Sequence, residues 1–315
     1  LGGFGDGVTT DGKYLYCSTG HDIPRSLRIS RGISEEEACG RGRGMDIFDI
    51  SNPARPKHVS RIDFPRFKPR DSDYWTPRVS GGYAFCCDSH NGMFVVDVKN
   101  PHEPKVIGRL CIPQEGKNWP SAAISSVAVG NGCLYVSTSP CGLWVVPMDG
   151  IKPQPVDKGK PPADSSISET YPTDMDAFHV YRPSESGQAR TVCLKDNVAY
   201  AAFGDAGLYV LEVSPQHGFR LIGKLPGNKR VTDCCFAGDR LVTAEGTHGW
   251  GVYELDGPTG FREVARRMPP GAGGSVAFWC WTVDQDRVVL STRSGGCRIF
   301  RMDDFNAQTP ICKFS

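Results

Sequence analysis

Apolar positions along this chain alternate with polar ones in short runs, and the runs recur. From Gly92 to Leu110 the chain reads GMFVVDVKNPHEPKVIGRL: a glycine, a run of β-formers, a polar turn with two prolines, then a second apolar run. That pattern predicts a β-hairpin, because β-branched and aromatic residues fit a pleated surface while proline and asparagine fit turns. The phrase returns at Gly44–Phe64 (GMDIFDISNPARPKHVSRIDF) and Gly207–Leu225 (GLYVLEVSPQHGFRLIGKL), with looser copies at Gly142–Val156, Gly251–Ala265 and Gly296–Phe314. Two further strand-like runs around a tight turn precede each copy, as in Arg78–Ser80, Gly81–Gly82 and Tyr83–Asp88. Six copies of a four-stranded unit, spaced by roughly 40 to 50 residues, predict an all-β chain. The expectation is a single β-propeller domain over residues 1–315, with four antiparallel strands per blade. Six blades are favoured; Tyr171–Tyr181 could supply part of a seventh.

The repeated phrase resembles that of the LVIVD-repeat family of β-propellers, which runs from a glycine through an apolar strand to D-V/I-S-N-P-x-x-P and a second strand containing a glycine. Gly44–Phe64 and Gly92–Leu110 fit best, and the later copies lose part of the S-N-P-x-x-P segment. The resemblance implies the propeller fold. It implies no particular activity, because this fold hosts many chemistries.

With strands named A to D in chain order, antiparallel neighbours place the A–B and C–D turns at one end of each blade, and the B–C turns and D–A crossovers at the other. The long insertions 22–43, 65–75, 113–123 and 158–189 are all expected at the second end. Loops of such length usually carry function. A binding pocket is therefore expected at that mouth of the propeller.

Charge and composition narrow the classes. With 36 Lys+Arg against 35 Asp+Glu the formal charge is +1, which gives no footprint for nucleic acid and no polybasic membrane patch. No apolar run approaches the roughly 18 residues of a membrane-spanning helix. Seven of the thirteen cysteines (Cys17, Cys86, Cys87, Cys133, Cys193, Cys234 and Cys235) fall inside expected strands, where they read as buried free thiols of a reducing compartment. Cytoplasmic location is the expectation, with a periplasmic or secreted site as alternative because the chain opens on Leu1. A homo-oligomer is compatible with the sequence.

The candidate chemistry gathers at the loop-rich end. His21, His90 and His248 each follow strand B, and His179 lies in the long crossover, whereas His58, His102 and His217 belong to strand D or the C–D turns. With Tyr74 these four histidines are the candidate catalytic residues. Arg78, Arg190, Arg230 and Arg293 could bind a carboxylate through the planar guanidinium, or equally pair with Asp6, Asp176 or Asp233. Trp75, Trp119 and Trp250 could stack on sugar rings; Trp279 and Trp281 read as either stacking residues or inter-blade core. The set is similar in kind to the His, Tyr and Arg residues of propeller-based polysaccharide lyases and a rhamnosidase. That analogy implies a lyase or glycosidase acting on an acidic or oxidised saccharide or glycoside. Arg would neutralise the carboxylate while His or Tyr moves protons. In a variant, His21, His90, His179 and His248 hold a divalent Mn, Fe or Zn ion. No nucleotide cofactor is expected, since no P-loop occurs and Gly2–Gly7 opens no helix. The alternative is a non-catalytic propeller that binds a glycan or protein partner.

Overall fold

The computed structural model describes residues 7–20, 29–34, 44–64, 73–89, 91–112, 121–139, 142–148, 179–227, 230–269, 277–282, 285–292, 297–306, 310 and 312–314. Six four-stranded antiparallel sheets follow one another along the chain, which makes the fold a six-bladed β-propeller. Blade 1 comprises β1 (Gly7–Thr10), β2 (Tyr14–Thr19), β3 (Gly44–Asp49) and β4 (Lys57–Asp63). Blade 2 comprises β5 (Arg78–Ser80), β6 (Tyr83–Asp88), β7 (Gly92–Asp97) and β8 (Lys105–Leu110). Blade 3 uses β9 (Ala123–Gly130), β10 (Cys133–Ser139), β11 (Gly142–Pro147) and β12 (His179–Tyr181). Blade 4 is formed by β13 (Thr191–Lys195), β14 (Val198–Ala202), β15 (Leu208–Ser214) and β16 (Gly218–Lys224). Blade 5 is formed by β17 (Asp233–Ala237), β18 (Arg240–Ala244), β19 (Trp250–Asp256) and β20 (Gly260–Arg267). Blade 6 holds β21 (Ala277–Thr282), β22 (Arg287–Thr292), β23 (Cys297–Arg301) and β24 (Cys312–Phe314).

Blade 3 departs from the sequence expectation. Its fourth strand is β12, His179–Tyr181, which pairs with β11 and so belongs to the third blade rather than to a seventh. The long insertion thus interrupts a C–D connection, at the blade end that carries the A–B turn Asn131–Gly132. The expectation of residues 158–189 as a D–A crossover is corrected accordingly.

The chain divides into two compact units, Leu1–Val127 with Pro147–Ala177, and Ala128–Val146 with Phe178–Ser315. In the first, Met45, Ile47, Phe64, Tyr74, Cys86, Phe94 and Val96 form one core, with Phe64 stacked on Phe94 at 4.7 Å. In the second, separate cores surround Tyr209, Tyr200 and Trp250. Third strands such as Met93–Val96 are buried on both faces, because each central strand is covered on both sides. They therefore read as continuous apolar runs rather than strict alternation. Cys17, Cys86, Cys87, Cys133 and Cys234 replace small apolar residues in these interiors and are free thiols. Burial pushes the Cys17 thiol up to about 11 and that of Cys87 to about 12.

A bulge recurs between the third and fourth strands. The register shifts after Ile47, Val95, Val210 and Val252, leaving Val59, Ile107, Ile222 and Val264 as the extra residues. In each case a small residue follows (Ser60, Gly108, Gly223, Ala265), then a cation (Arg61, Arg109, Lys224, Arg266). That cation pairs in register with Asp46, Phe94, Tyr209 or Gly251, the second residue after the glycine at the head of its blade's phrase. By this register the glycine equivalent to Gly92 in blade 5 is Gly249, two residues before the sequence expectation.

Candidate functional site

The B–C turns of blades 4 and 5 are built alike. Ala202-Phe203-Gly204-Asp205-Ala206-Gly207 matches Ala244-Glu245-Gly246-Thr247-His248-Gly249 position for position. The Phe203 amide donates to the Gly207 carbonyl and the Glu245 amide to that of Gly249, both at 2.8 Å. Gly204 and Gly246 take φ values of 58° and 61°, the left-handed region that glycine adopts without strain. Their carbonyls accept the incoming chain: the Val231 amide reaches Gly204 at 2.9 Å, and the Ala277 amide reaches Gly246 at 2.9 Å. Each turn is thereby tied to the D–A connection that follows it.

This construction displays a small polar surface. The Arg230 stem lies over Gly246, and its guanidinium pairs with Asp205 at 3.3 Å, both side chains largely exposed. His248 projects from the next turn with an exposed side chain. Arg190 stands where the chain enters blade 4. Its amide donates to the Ala202 carbonyl at 2.8 Å, and its guanidinium donates to the Gln188 side chain at 2.9 Å. Of the expected residues, Arg190, Arg230 and His248 thus belong to adjoining B–C and D–A segments.

Beneath His248 lies a charged network with no conspicuous motif in the sequence. The Glu245 carboxylate is fully buried. It accepts from the Thr243 hydroxyl at 2.7 Å, the Tyr253 hydroxyl at 2.5 Å and Arg266 Nη1 at 2.9 Å. Arg266 also donates to the His248 carbonyl at 2.8 Å and to Glu263 at 2.6 Å. Burial, then the Glu245 carboxylate, push the Tyr253 phenol far above its ordinary value. The hydrogen bond that Arg266 donates to the Glu263 carboxylate is the largest cause holding the arginine protonated. A Cβ at Gly251 would stand 2.7 Å from Glu245 Oε1, so the absent side chain makes room for the network. The detectable signal was the spacing: Arg266 lies seventeen residues after Gly249, as Arg109 does after Gly92 and Arg61 after Gly44.

Several expected site residues go elsewhere. Trp250 is buried in the blade 5 and 6 core, with Nε1 donating to the Trp279 carbonyl at 3.0 Å, and offers no stacking face. Tyr74 is buried against Phe64, with ring centroids 5.0 Å apart, and pairs in register with Asp88. It belongs to the core of the first unit. Trp75 is half-buried, its Nε1 donating to Ser89 Oγ at 2.6 Å, and Arg78 stands on β5 beside the Cys87 thiol. His179 occupies β12, opposite Val145, and its ring fills the space left by Gly218. Gly218 opens β16 after a C–D turn, so His179 and His248 lie at opposite blade ends, contrary to the expected four-histidine cluster. His21, His90, Trp119 and Arg293, with Asp6 and Asp176, lie outside the described residues. The Asp233 carboxylate accepts the Cys234 and Cys280 amides at 2.9 Å each. Among the described residues no three His, Cys, Asp or Glu side chains converge to hold a metal ion, and no helix is long and apolar enough to cross a membrane.

The repeated bulge, the glycine-headed third strands and the clamped B–C turns define a β-propeller of repeated phrase. Residues 40–63, 77–111 and 186–217 match the LVIVD repeat, so the chain is a six-bladed β-propeller carrying LVIVD repeats. No curated protein matches the sequence. Among solved structures, a "putative 6-phosphogluconolactonase" from Bacteroides fragilis NCTC 9343 is similar, with 10% identity and a TM-score of 0.58 over 96% of this chain and 81% of that one. U3-55K is similar with 11% identity and a TM-score of 0.57, over 98% and 81% of the two chains. The computationally designed Ika8 protein gives 10% identity and a TM-score of 0.54, over 100% and 75%. At such identities the likeness concerns the fold.

Proposed function

We propose that this chain is a non-catalytic interaction propeller, docking a protein partner on the B–C turns of blades 4 and 5 and the crossovers that enter those blades. The observation that carries this reading is the pair of identically clamped turns. They present Asp205, Arg230 and His248 on a rigid backbone while the expected stacking residue Trp250 is buried. A rigid surface of mixed charge suits a protein better than a sugar ring, because its exposed polar groups set orientation and on-rate while the clamped backbone needs no ordering. A carbohydrate lyase or glycosidase is the second reading. It draws on the exposed His248 beside Arg230 and on the sugar-phosphate lactone named for one propeller of similar fold.

The test is a charge exchange. Asp205→Lys with Arg230→Glu inverts the surface but costs about 1 kcal/mol or less, since exposed ion pairs contribute little. Cross-linking of the native protein in a lysate of its source, followed by mass spectrometry, should find one partner attached near residues 205, 230 and 248. The exchange should abolish that product. A product retained at full yield by the exchanged protein rules out this surface. Turnover of acidic oligosaccharides that His248→Ala removes would favour the second reading.

A further inference from the structure

Four cysteines stand on the first strands of three successive blades: Cys193 on β13, Cys234 and Cys235 on β17, and Cys280 on β21. Adjacent residues of a strand face opposite sides. Cys234 therefore turns to blade 4 and Cys235 to blade 6. The sulfurs of Cys193 and Cys234 lie 3.6 Å apart across forty-one residues of chain. Across the next pair of blades Cys235 packs against the core that contains Cys280, near enough to help raise the pKa of that thiol. Each pair joins a half-buried thiol, Cys193 or Cys235, to a buried one, Cys234 or Cys280.

The backbone holds these pairs in place. The Asp233 carboxylate takes the amides of Cys234 and Cys280, fixing β17 against β21 at the level of the sulfurs. Thr191 Oγ1 accepts the Cys234 amide at 3.3 Å, which fixes β17 against β13. Closing a sulfur separation of 3.6 Å to the roughly 2.05 Å of a disulfide takes a side-chain rotation and little strand movement. Each pair supplies two thiolates, fewer than the four ligands of a structural zinc site, and no third donor joins them among the described residues.

We propose that Cys193–Cys234 and Cys235–Cys280 are two oxidation sites, at which a peroxide converts each dithiol into a disulfide joining neighbouring blades. The half-buried thiolate attacks a peroxide oxygen, the O–O bond breaks, and the sulfur becomes a sulfenic acid as the leaving oxygen departs as water. The buried thiol then attacks that sulfur, its proton leaving with the displaced hydroxyl as a second water. Two thiols lose two electrons and two protons, and one peroxide becomes two waters. Burial, and the hydrogen bond it donates to Cys234, hold the Cys193 thiol well above its ordinary value. Little thiolate exists at neutral pH, so the reaction is slow there and quickens as pH rises.

The experiment treats the intact protein with hydrogen peroxide, alkylates the remaining thiols and maps peptides. Expected are a mass loss of about 2 Da per bond, the two hydrogens of each dithiol, and linked peptides containing Cys193 with Cys234 and Cys235 with Cys280. A thiol reductant should restore the starting mass. Each bond should also lower the unfolding equilibrium constant by roughly a thousandfold, the order expected for a loop of forty-one residues. Cys193→Ser should abolish the first bond and leave the second. Sulfinic or sulfonic acid on Cys193 with Cys234 still alkylated would overturn the proposal, as would linkage to other cysteines. If the serine variant fails to fold, the wild-type peptide map decides alone.

Discussion

Replacing Arg266 by methionine should destabilise the second unit more than any other substitution at the exposed ends of its blades. Glu245 carries its carboxylate with no exposed surface, while Arg266 keeps 22% of its side chain exposed. Removing the guanidinium takes from the carboxylate its Arg266 partner, while the Thr243 and Tyr253 hydroxyls remain, and takes from the His248 carbonyl its Arg266 donor. Orphaning one member of a buried ion pair costs about 3–5 kcal/mol. The lower end is expected here, because water can reach the space that Arg266 vacates. Glu263→Gln breaks a pair whose acid is 38% exposed and should cost less than about 1 kcal/mol. Glu245→Gln keeps two acceptable hydrogen bonds and should cost about 1–3 kcal/mol. The double variant Glu245→Gln with Arg266→Met removes both charges, and its cost should fall short of the two singles' sum by at least about 1.5 kcal/mol. Urea unfolding with an unchanged slope measures these differences. An Arg266→Met cost below about 1 kcal/mol, or strict additivity in the double variant, would refute the reasoning.

Two further outcomes follow from single positions. Gly249→Ala places a Cβ 2.2 Å from the Arg267 carbonyl at a φ of 83°, whereas Gly12→Ala meets open space at a φ of 97°. The first should cost more than about 2 kcal/mol and the second about 1 kcal/mol, so equal melting shifts would show that backbone conformation alone matters. Burial pushes the Tyr200 phenol up to about 12 from 10.0, and its hydroxyl donates to the Pro258 carbonyl at 3.0 Å. A raised value favours the folded state fully below pH 10, and that contribution is lost as pH climbs to about 12, a change of about 2–3 kcal/mol. Tyr200→Phe should flatten this alkaline limb in stability-against-pH curves while costing about 1 kcal/mol at neutral pH.

The blades were legible because each third strand carries apolar residues after a glycine and each turn carries its own punctuation. The fourth strand of blade 3 was not, since the long insertion separates β12 from the phrase it completes and His179–Tyr181 alone is too short to show a period. Arg230 and His248 were visible as polar residues at loop positions. Trp250 suggests a stacking face by its aromatic character, but its place in the repeat is a core position. It follows Gly249 as Met93 follows Gly92 and Met45 follows Gly44, a position that is buried in all three blades. Comparing the copies with one another would have assigned it to the core. Glu245 and Arg266 were missed for the opposite reason: twenty-one residues separate them, and only the register of β19 with β20 brings them together.

The recurrent bulge explains why cations stand at the same place in blades whose surfaces otherwise differ. An extra β-branched residue turns the fourth strand, the small residue after it lets the strands approach, and the next side chain is re-aimed across its own blade. In blades 1, 4 and 5 the carboxylate that answers comes from a different element. In blade 1 Asp46 on β3 takes Arg61 at 2.6 Å; in blade 4 Glu185, ahead of β13, takes Lys224 at 2.6 Å; in blade 5 the B–C turn supplies Glu245. A catalytic constellation would require the same groups to converge on one point. A cation fixed by the repeat and an acid free to vary in origin instead secures blade edges one at a time. The asymmetry between blades then resides in what those acids support, and only in blade 5 does the network also hold a turn that displays a histidine, through the bond from Arg266 to the His248 carbonyl, among the described residues. Function should therefore track the residues at the tips of the turns, while substitutions at the repeated cation should register as lost stability before they register as lost binding.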